Sequence, residues 1–220
     1  MVRAQSPHPP QIPPSEELDP LVAPLALGHD DTYSEFRAED CSLPGQVARG
    51  MSVVSGTLEG VGLSESTFDA VYLNDLALKR VDLANTRAAR ANLTRVSFEG
   101  GRLTGLALTD SVIYDVAFRG CRLDLSSFGM SRLKRVLFED CHLGGISLLD
   151  AQCESVVFRD CRMTECDFRG ASLKACEFQR CDLSGIEGIQ SLRGAAMEWT
   201  DIIDMAGTWA AALGIKVIEP

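Results

Sequence analysis

From Cys41 onward the sequence repeats every five residues, and few folds accommodate such a period. The chain divides into 29 consecutive blocks, among them VGLSE, STFDA and VYLND, ending with CDLSG at 181–185. The third residue of almost every block is Leu or Phe, the first is small or aliphatic, and the others are mostly polar. This period matches neither the 3.6 residues of a helix nor the alternation of a strand. Two inward positions in every five predict a chain that turns a corner every five residues.

A longer period of twenty residues predicts how the corners are arranged. One column of third-position residues is aliphatic at every twentieth residue: Leu43, Leu63, Leu83, Leu103, Leu123, Leu143, Met163 and Leu183. Another carries five aromatic residues in succession: Phe98, Phe118, Phe138, Phe158 and Phe178. Four blocks therefore make one coil, and about seven coils stack at the strand spacing of ~4.8 Å. The core is predicted to contain the five Phe with Leu83, Leu103, Leu123 and Leu143.

Several blocks resemble the A-D/N-L-x-x signature of the pentapeptide-repeat family, namely ANLTR, CDFRG, ASLKA and CDLSG. The resemblance covers residues 41–185. It implies an all-β fold, a right-handed quadrilateral β-helix in which the central residue and the small residue two positions earlier face inward. It also implies an interaction surface rather than an enzyme. The sequence departs from the pattern at Ala48, Ala88 and Cys153, where looser packing is expected.

The regions outside the repeat suggest three segments. Residues 1–24 contain seven of the nine prolines, and proline fixes φ and removes a backbone donor. We therefore expect a Pro-rich, acidic, disordered leader at 1–30, with a Pro-rich ligand for a partner domain as the alternative. The solenoid is assigned to 31–190. A capping helix and a short tail follow at 191–220.

The C-terminal segment has apolar residues at helical spacing. A helix over about 200–213 is predicted, with Thr200 as N-cap and Gly214 as the residue that ends it. Its apolar stripe, which should cover the last coil, comprises Ile202, Met205, Ala206 and Trp209. The remaining apolar surface predicts a homodimer, with Ile203, Trp209 and Leu213 as contacts. The alternative is a monomer whose tail, IKVIEP, covers this surface.

The cysteines and histidines do not form a recognisable chemical site. Seven of the eight cysteines occupy the small inward position: Cys41, Cys121, Cys141, Cys161, Cys166, Cys176 and Cys181. Stacked parallel side chains do not converge on a metal, so the prediction is reduced, metal-free thiols that pack in the core of a cytoplasmic protein. His142 is expected on the surface, and His8 and His29 in the leader. No catalytic or cofactor-binding motif was found, so no enzyme activity and no cofactor are predicted.

The charge distribution bears on which partner to expect. The net charge is −10, but residues 1–40 carry −6, residues 41–185 carry −1 and residues 186–220 carry −3. Some members of the resembled family imitate DNA and bind topoisomerase, which requires a negative field along the rod. A nearly neutral rod favours a protein–protein scaffold, with DNA gyrase or topoisomerase as the alternative partner. Direct nucleic-acid binding would need a basic stripe, and no apolar run is long enough to span a membrane.

Overall fold

Stacked parallel strands build most of the molecule. The structure is a computed structural model that describes residues 3–20, 27–212, 214–216 and 218. The predicted right-handed quadrilateral β-helix is confirmed, but it has about nine turns rather than seven. Strand pairing begins at Asp19–Pro20 and continues to Ala196–Met197. The stack extends beyond the predicted 31–190 because backbone pairing at its ends does not require a Leu-centred block.

Each coil has four sides, which we number from the block that begins at residue 41, so that faces 1 to 4 start at 41, 46, 51 and 56 and recur every twenty residues. Long strands run along faces 3 and 4: β2 (Thr32–Glu39), β4 (Ser52–Glu59), β6 (Tyr72–Lys79), β8 (Asn92–Glu99), β9 (Val112–Arg119), β10 (Arg132–Glu139) and β11 (Gln152–Arg159). The short strands are β1 (Asp19–Pro20), β3 (Val47–Arg49), β5 (Thr67–Asp69), β7 (Arg87–Ala89), β12 (Ser172–Lys174), β13 (Glu177–Gln179) and β14 (Ala196–Met197). Short 3-10 helices span Ser15–Glu17 and Ile189–Leu192, and helices α1 (Trp199–Asp204) and α2 (Ala206–Ala212) end the chain.

The corners of the coil are made by the fifth residue of each block, which has a positive φ. Gly120 has φ 58°, and Asp75 and Arg135 adopt 54° and 51°. This left-handed conformation turns the chain while its amide bonds to the next coil, as Gly120 N–H does to Glu139 O at 3.0 Å. The corner thus presents its side chain outward, directly above the corner residue twenty positions earlier.

The two predicted columns lie in the interior. The rings of Phe98, Phe118, Phe138, Phe158 and Phe178 stack with centroids 4.7–5.0 Å apart and planes within 11° of parallel. Leu83, Leu103, Leu123 and Leu143 are all buried. The ring spacing equals the coil rise, so each coil contributes one layer to a continuous core.

Packing is looser at the N-terminal end of the stack. An apolar cavity of about 100 Å³ lies there, and the residues that line it fall between Leu27 and Leu108 in the sequence. Ala88 lines this cavity, as expected from its small volume at a central position. Neither Ala48 nor Cys153 lines it, and Cys153 is fully enclosed by its neighbours.

The C-terminal segment differs from the sequence prediction in three ways. The helix starts at Trp199, one residue before the predicted N-cap, and is interrupted at Met205. Its buried residues are Asp201 and Met205, with Trp209 partly buried against the core, while Ile202 and Ala206 are exposed. Asp201 lies inward because its carboxylate accepts the Cys181 N–H at 3.3 Å. Gly214 has the expected positive φ of 70°.

The Pro-rich leader also departs from expectation. Residues 3–20 lie against the solenoid instead of forming a disordered segment, and Leu18 is buried. Backbone amides of the leader donate to solenoid carboxylates, and proline has little conformational entropy to lose on ordering. Among the described residues, no helix is long and apolar enough to cross a membrane.

Candidate interaction surfaces

Charged side chains on the rod are paired along its axis. Because equivalent positions in successive coils lie above one another, an acid and a base twenty residues apart come into contact. Glu139 accepts from Arg119 at 3.2 Å and from Arg159 at 2.8 Å, on opposite sides along the axis. Other pairs with this spacing or one residue more are Glu59–Arg80, Asp69–Arg90, Asp82–Arg102, Lys134–Glu154, Glu154–Lys174 and Asp160–Arg180. The solenoid is therefore nearly neutral in part because opposite charges on neighbouring coils are paired locally.

One of these columns, at the corner between faces 3 and 4, is mostly buried. It alternates Asp75, Arg95, Asp115 and Arg135, and we call it the buried charge column. Arg95 Nη2 lies 2.6 Å from Asp75, and Arg135 Nη2 lies 2.6 Å from Asp115. Arg135 also sits 4.0 Å above the centre of the Tyr114 ring. Burial opposes ionisation of Asp115, but hydrogen bonds from Arg135 and His8 outweigh it and hold its pKa at about 2.

Face 2 and the two corners that bound it carry exposed apolar residues in the middle of the rod. Leu125 and Met130 are 71% and 62% exposed, and Leu149 is also exposed. Around them the outward positions are small and uncharged: Ala107, Thr109, Ser127, Gly129 and Ser147. We call this area the neutral patch. Apolar residues at the fourth and fifth positions of a block break the repeat pattern, a signal in the sequence that the prediction overlooked.

The two borders of the neutral patch carry opposite charges. On face 1 the exposed residues Arg102, Arg122, His142 and Arg162 form a column, in which Arg102 pairs with Asp82. On the corner between faces 2 and 3, the exposed Asp110 and Asp150 lie one coil on either side of Met130. Within the described residues, Arg122 and Arg162 have no ion-pair partner. The patch is therefore bounded by a basic column on face 1, and at its opposite corner Met130 lies between two acids.

The cysteines lie in the core, as the repeat register predicts, with Cys41 only partly covered. Their thiols donate to backbone carbonyls, for example Cys141 Sγ to Glu139 O at 3.2 Å and Cys161 Sγ to Arg159 O at 3.2 Å. Burial raises the pKa of Cys166 to about 12 and that of Cys176 to about 11. The part of the chain that the structure describes has no group of His, Cys, Asp or Glu arranged to hold a metal ion. That the thiols are reduced and metal-free stays a prediction.

The C-terminal end presents a second apolar surface. Trp199 is 73% exposed, and Ile203 and Ile215 are more than half exposed. Of the predicted dimer contacts, Ile203 lies on this surface, Trp209 packs against the last coil, and Leu213 lies outside the described residues. Trp199 was missed because the sequence prediction began the helix at about residue 200, and Ile215 because the tail was considered only in the alternative, as a cover for this surface.

Known proteins share the repeat and the architecture. Residues 55–128 and 111–187 match the family model described as pentapeptide repeat region. No curated protein matches the sequence. Among solved structures, QnrB1, a plasmid-mediated fluoroquinolone resistance protein, is 14% identical, with 81% of this chain and 100% of that chain covered and a TM-score of 0.46. HetL of the cyanobacterium Nostoc sp. strain PCC 7120, involved in heterocyst differentiation regulation, is 17% identical, with coverages of 77% and 90% and a TM-score of 0.29.

Proposed function

This chain belongs to the pentapeptide-repeat family, and we propose that it is a rigid, non-enzymatic scaffold that binds another protein through the neutral patch. The exposure of Leu125 and Met130 at the two corners of an otherwise small-residue face is the observation that carries this proposal. Contiguous apolar surface on a folded protein usually marks an interaction site. A flat face held by backbone pairing on both sides loses little entropy when a partner binds.

The borders of the patch indicate the chemistry of the partner. Its complementary surface is apolar at the centre, acidic where it meets Arg122 and Arg162, and basic where it meets Asp110 and Asp150. Paired opposite charges at the rim of an interface set orientation and association rate. A partner with one uniform charge would meet repulsion on one of the two borders.

DNA gyrase or topoisomerase, engaged by imitation of DNA, is the second candidate. Duplex DNA presents unpaired negative charge along its whole length. On this rod many acids of the solenoid, such as Glu59 and Asp82, contact arginines of neighbouring coils, and Glu139 contacts two. We therefore rank the neutral scaffold first, and expect gyrase supercoiling to be unaffected by low micromolar protein with or without a fluoroquinolone. Inhibition or protection from the drug would favour the second candidate.

A matched pair of variants tests the patch directly. Leu125→Asp combined with Met130→Asp places a charge at each edge of the patch, and both side chains are exposed, so the fold is unaffected. Tyr72→Asp, on face 3 and 54% exposed, is the control. A protein captured from the native host by the wild type should be retained by Tyr72→Asp and lost by the double variant. Equal retention by all three would contradict the proposal.

A second copy of the chain is the proposed partner of the C-terminal surface. Trp199, Ile203 and Ile215 leave an apolar area that a twofold contact would cover. Light scattering at tens of micromolar should give the mass of a dimer for the wild type and of a monomer for Ile203→Glu. Trp209→Glu should instead loosen the cap, because Trp209 packs against the core. A single-chain mass for the wild type would overturn the dimer.

A further inference from the structure

The first described residues run along the rod with a period of three. Ala4, Pro7, Pro10 and Pro13 are half-buried, whereas most of the residues between them are exposed. A polyproline II helix has three residues per turn and no internal hydrogen bonds. The segment 3–14, which we call the strap, therefore presents one edge of a polyproline II helix to the solenoid.

The strap is attached through its backbone to carboxylates of the solenoid. His8 N–H donates to Asp115 Oδ1 at 3.0 Å, and Gln11 N–H donates to Asp75 Oδ1 at 2.8 Å. Nearer the start, Ala4 N–H donates to Glu177 Oε1 at 2.8 Å. The strap thus runs from late coils to early ones. Because residues 7, 9 and 10 are prolines, His8 and Gln11 supply the only amide donors between residues 7 and 11, and both are used.

The spacing of the amide donors along the strap matches the spacing of the carboxylate acceptors along the rod. Polyproline II rises ~3.1 Å per residue, so the amides of His8 and Gln11 lie roughly 9 Å apart. Asp115 and Asp75 belong to coils two turns apart, which at ~4.8 Å per coil is also roughly 9–10 Å. Three residues of an extended proline-rich segment therefore span two coils. Any segment of this type with amides at every third residue meets the same acceptors.

The acceptors are held in place before the strap binds. Asp115 is also bonded by Arg135 Nε at 2.7 Å, and Asp75 by Arg95 Nε at 2.6 Å. The side chain of Asp115 is only 3% exposed. Beside this column, face 4 offers an apolar strip of Ala117, Leu137 and Val157, against which Ala4 packs. A proline-rich segment is recognised as a preformed polyproline II helix that docks into a groove, and here the oriented carboxylates supply hydrogen-bond acceptors beside an apolar strip.

We propose that the corner between faces 3 and 4 is a binding groove for proline-rich polyproline II segments, and that the strap is its resident ligand, bound within the same chain. The groove accepts amide hydrogens at every third residue through Asp115 and Asp75, and its apolar strip of Ala117, Leu137 and Val157 packs against the strap at Ala4. It lies away from the neutral patch on face 2, so it does not rest on the function proposed above.

Two proline substitutions separate groove recognition from general ordering of the leader. Gln11→Pro removes the amide that donates to Asp75. Gln5→Pro changes an exposed residue whose amide has no partner among the described residues. Both keep a conformation that polyproline II accepts. Amide hydrogen exchange in the full chain should show His8 protected in the wild type and in Gln5→Pro. In Gln11→Pro it should exchange at least about tenfold faster, since a hydrogen bond to an ionised group is worth that factor or more.

A peptide with the sequence of residues 3–14, RAQSPHPPQIPP, tests the groove from outside. The resident strap has an effective concentration of roughly millimolar, so a labelled peptide should bind wild type and Gln5→Pro weakly. Gln11→Pro, whose strap is released, should bind it at least about tenfold more tightly, and the peptide carrying the same Gln→Pro change should not bind. Equal binding to all three proteins, or a wild-type strap that exchanges at the rate of an unstructured chain, would overturn the proposal. So would a concentration-dependent exchange of straps between two chains.

Discussion

The two ends of the solenoid core are built on the same backbone but packed to different densities. Toward the C-terminal end, Phe118, Phe138 and Phe158 have no exposed surface. Toward the N-terminal end, Ala38 and Leu58 occupy the same column, and a cavity of about 100 Å³ remains. Strand pairing does not differ: β4 pairs with β6, and β10 with β11, through equivalent positions of the coil. Backbone pairing and corner geometry thus define the fold, while the volume of the side chains in each inward column determines how densely the core is packed.

Deleting a ring from the dense end should have the largest effect. Phe138→Ala removes a ring stacked between Phe118 and Phe158 at 4.9 and 5.0 Å. We expect a loss of about 3–5 kcal/mol in the free energy of unfolding, measured by denaturant titration, because the rigid neighbours cannot close the cavity. Phe68→Ala is the matched change beside the existing cavity, where the cost should fall at or below the lower end of that range. Equal losses would remove the proposed difference in packing.

Adding volume should act in opposite directions at the two ends. Ala91 and Ala151 occupy the same small inward position three coils apart, but only Ala91 lines the cavity. Ala151→Val should destabilise by about 1–3 kcal/mol through overpacking. Ala91→Val should be neutral or stabilise by about 0.5–1 kcal/mol by filling empty space. Thermal unfolding of the two variants checks the sign, and destabilisation by both would show that the cavity is not accessible to an added methyl group.

The repeat made the core predictable because inward positions recur at a fixed period. Phe98 to Phe178 could be assigned to one stack from their spacing of twenty residues alone. The ends of the stack were not predictable in this way, because the strands Asp19–Pro20 and Ala196–Met197 lie outside the assigned 31–190 and pair through their backbone. Two coils were therefore missed.

The surfaces were less predictable than the core, for two different reasons. The buried charge column was visible in the sequence as Asp75, Arg95, Asp115 and Arg135 at a spacing of twenty, but fifth positions were treated as solvent-exposed corners. The strap was not visible, since proline content predicts an extended conformation and does not specify what it lies against. The contact follows from the match between the rise of a polyproline II helix over three residues and the rise of the solenoid over two coils. That match can be recognised only once the structure is known.

The buried charge column should give the smallest of these effects, as a dependence of stability on pH. The pKa of Asp115 is about 2 in the folded protein against 3.8 for an unperturbed carboxyl. A lowered pKa means that ionised Asp115 stabilises the fold above pH 4, and that this contribution is lost as the pH falls from about 4 to about 2. We expect about 1–2 kcal/mol, below the full linkage value because the His8 side chain that contacts Asp115 is 67% exposed.

Asp115→Asn provides the measurement, because an amide cannot ionise. The difference in unfolding free energy between wild type and this variant should be largest near neutral pH and shrink as the pH falls toward 2, where about half of the wild-type Asp115 carboxyl is protonated. Asp75, in the loosely packed half of the same column, has a side chain that is 10% exposed rather than 3%. Its pKa is also lowered, first by the hydrogen bond from Arg95, so Asp75→Asn should show the same trend with a smaller amplitude. A difference that stays constant down to pH 2 would mean that the ionised carboxylate of Asp115 contributes nothing beyond the shape of its side chain.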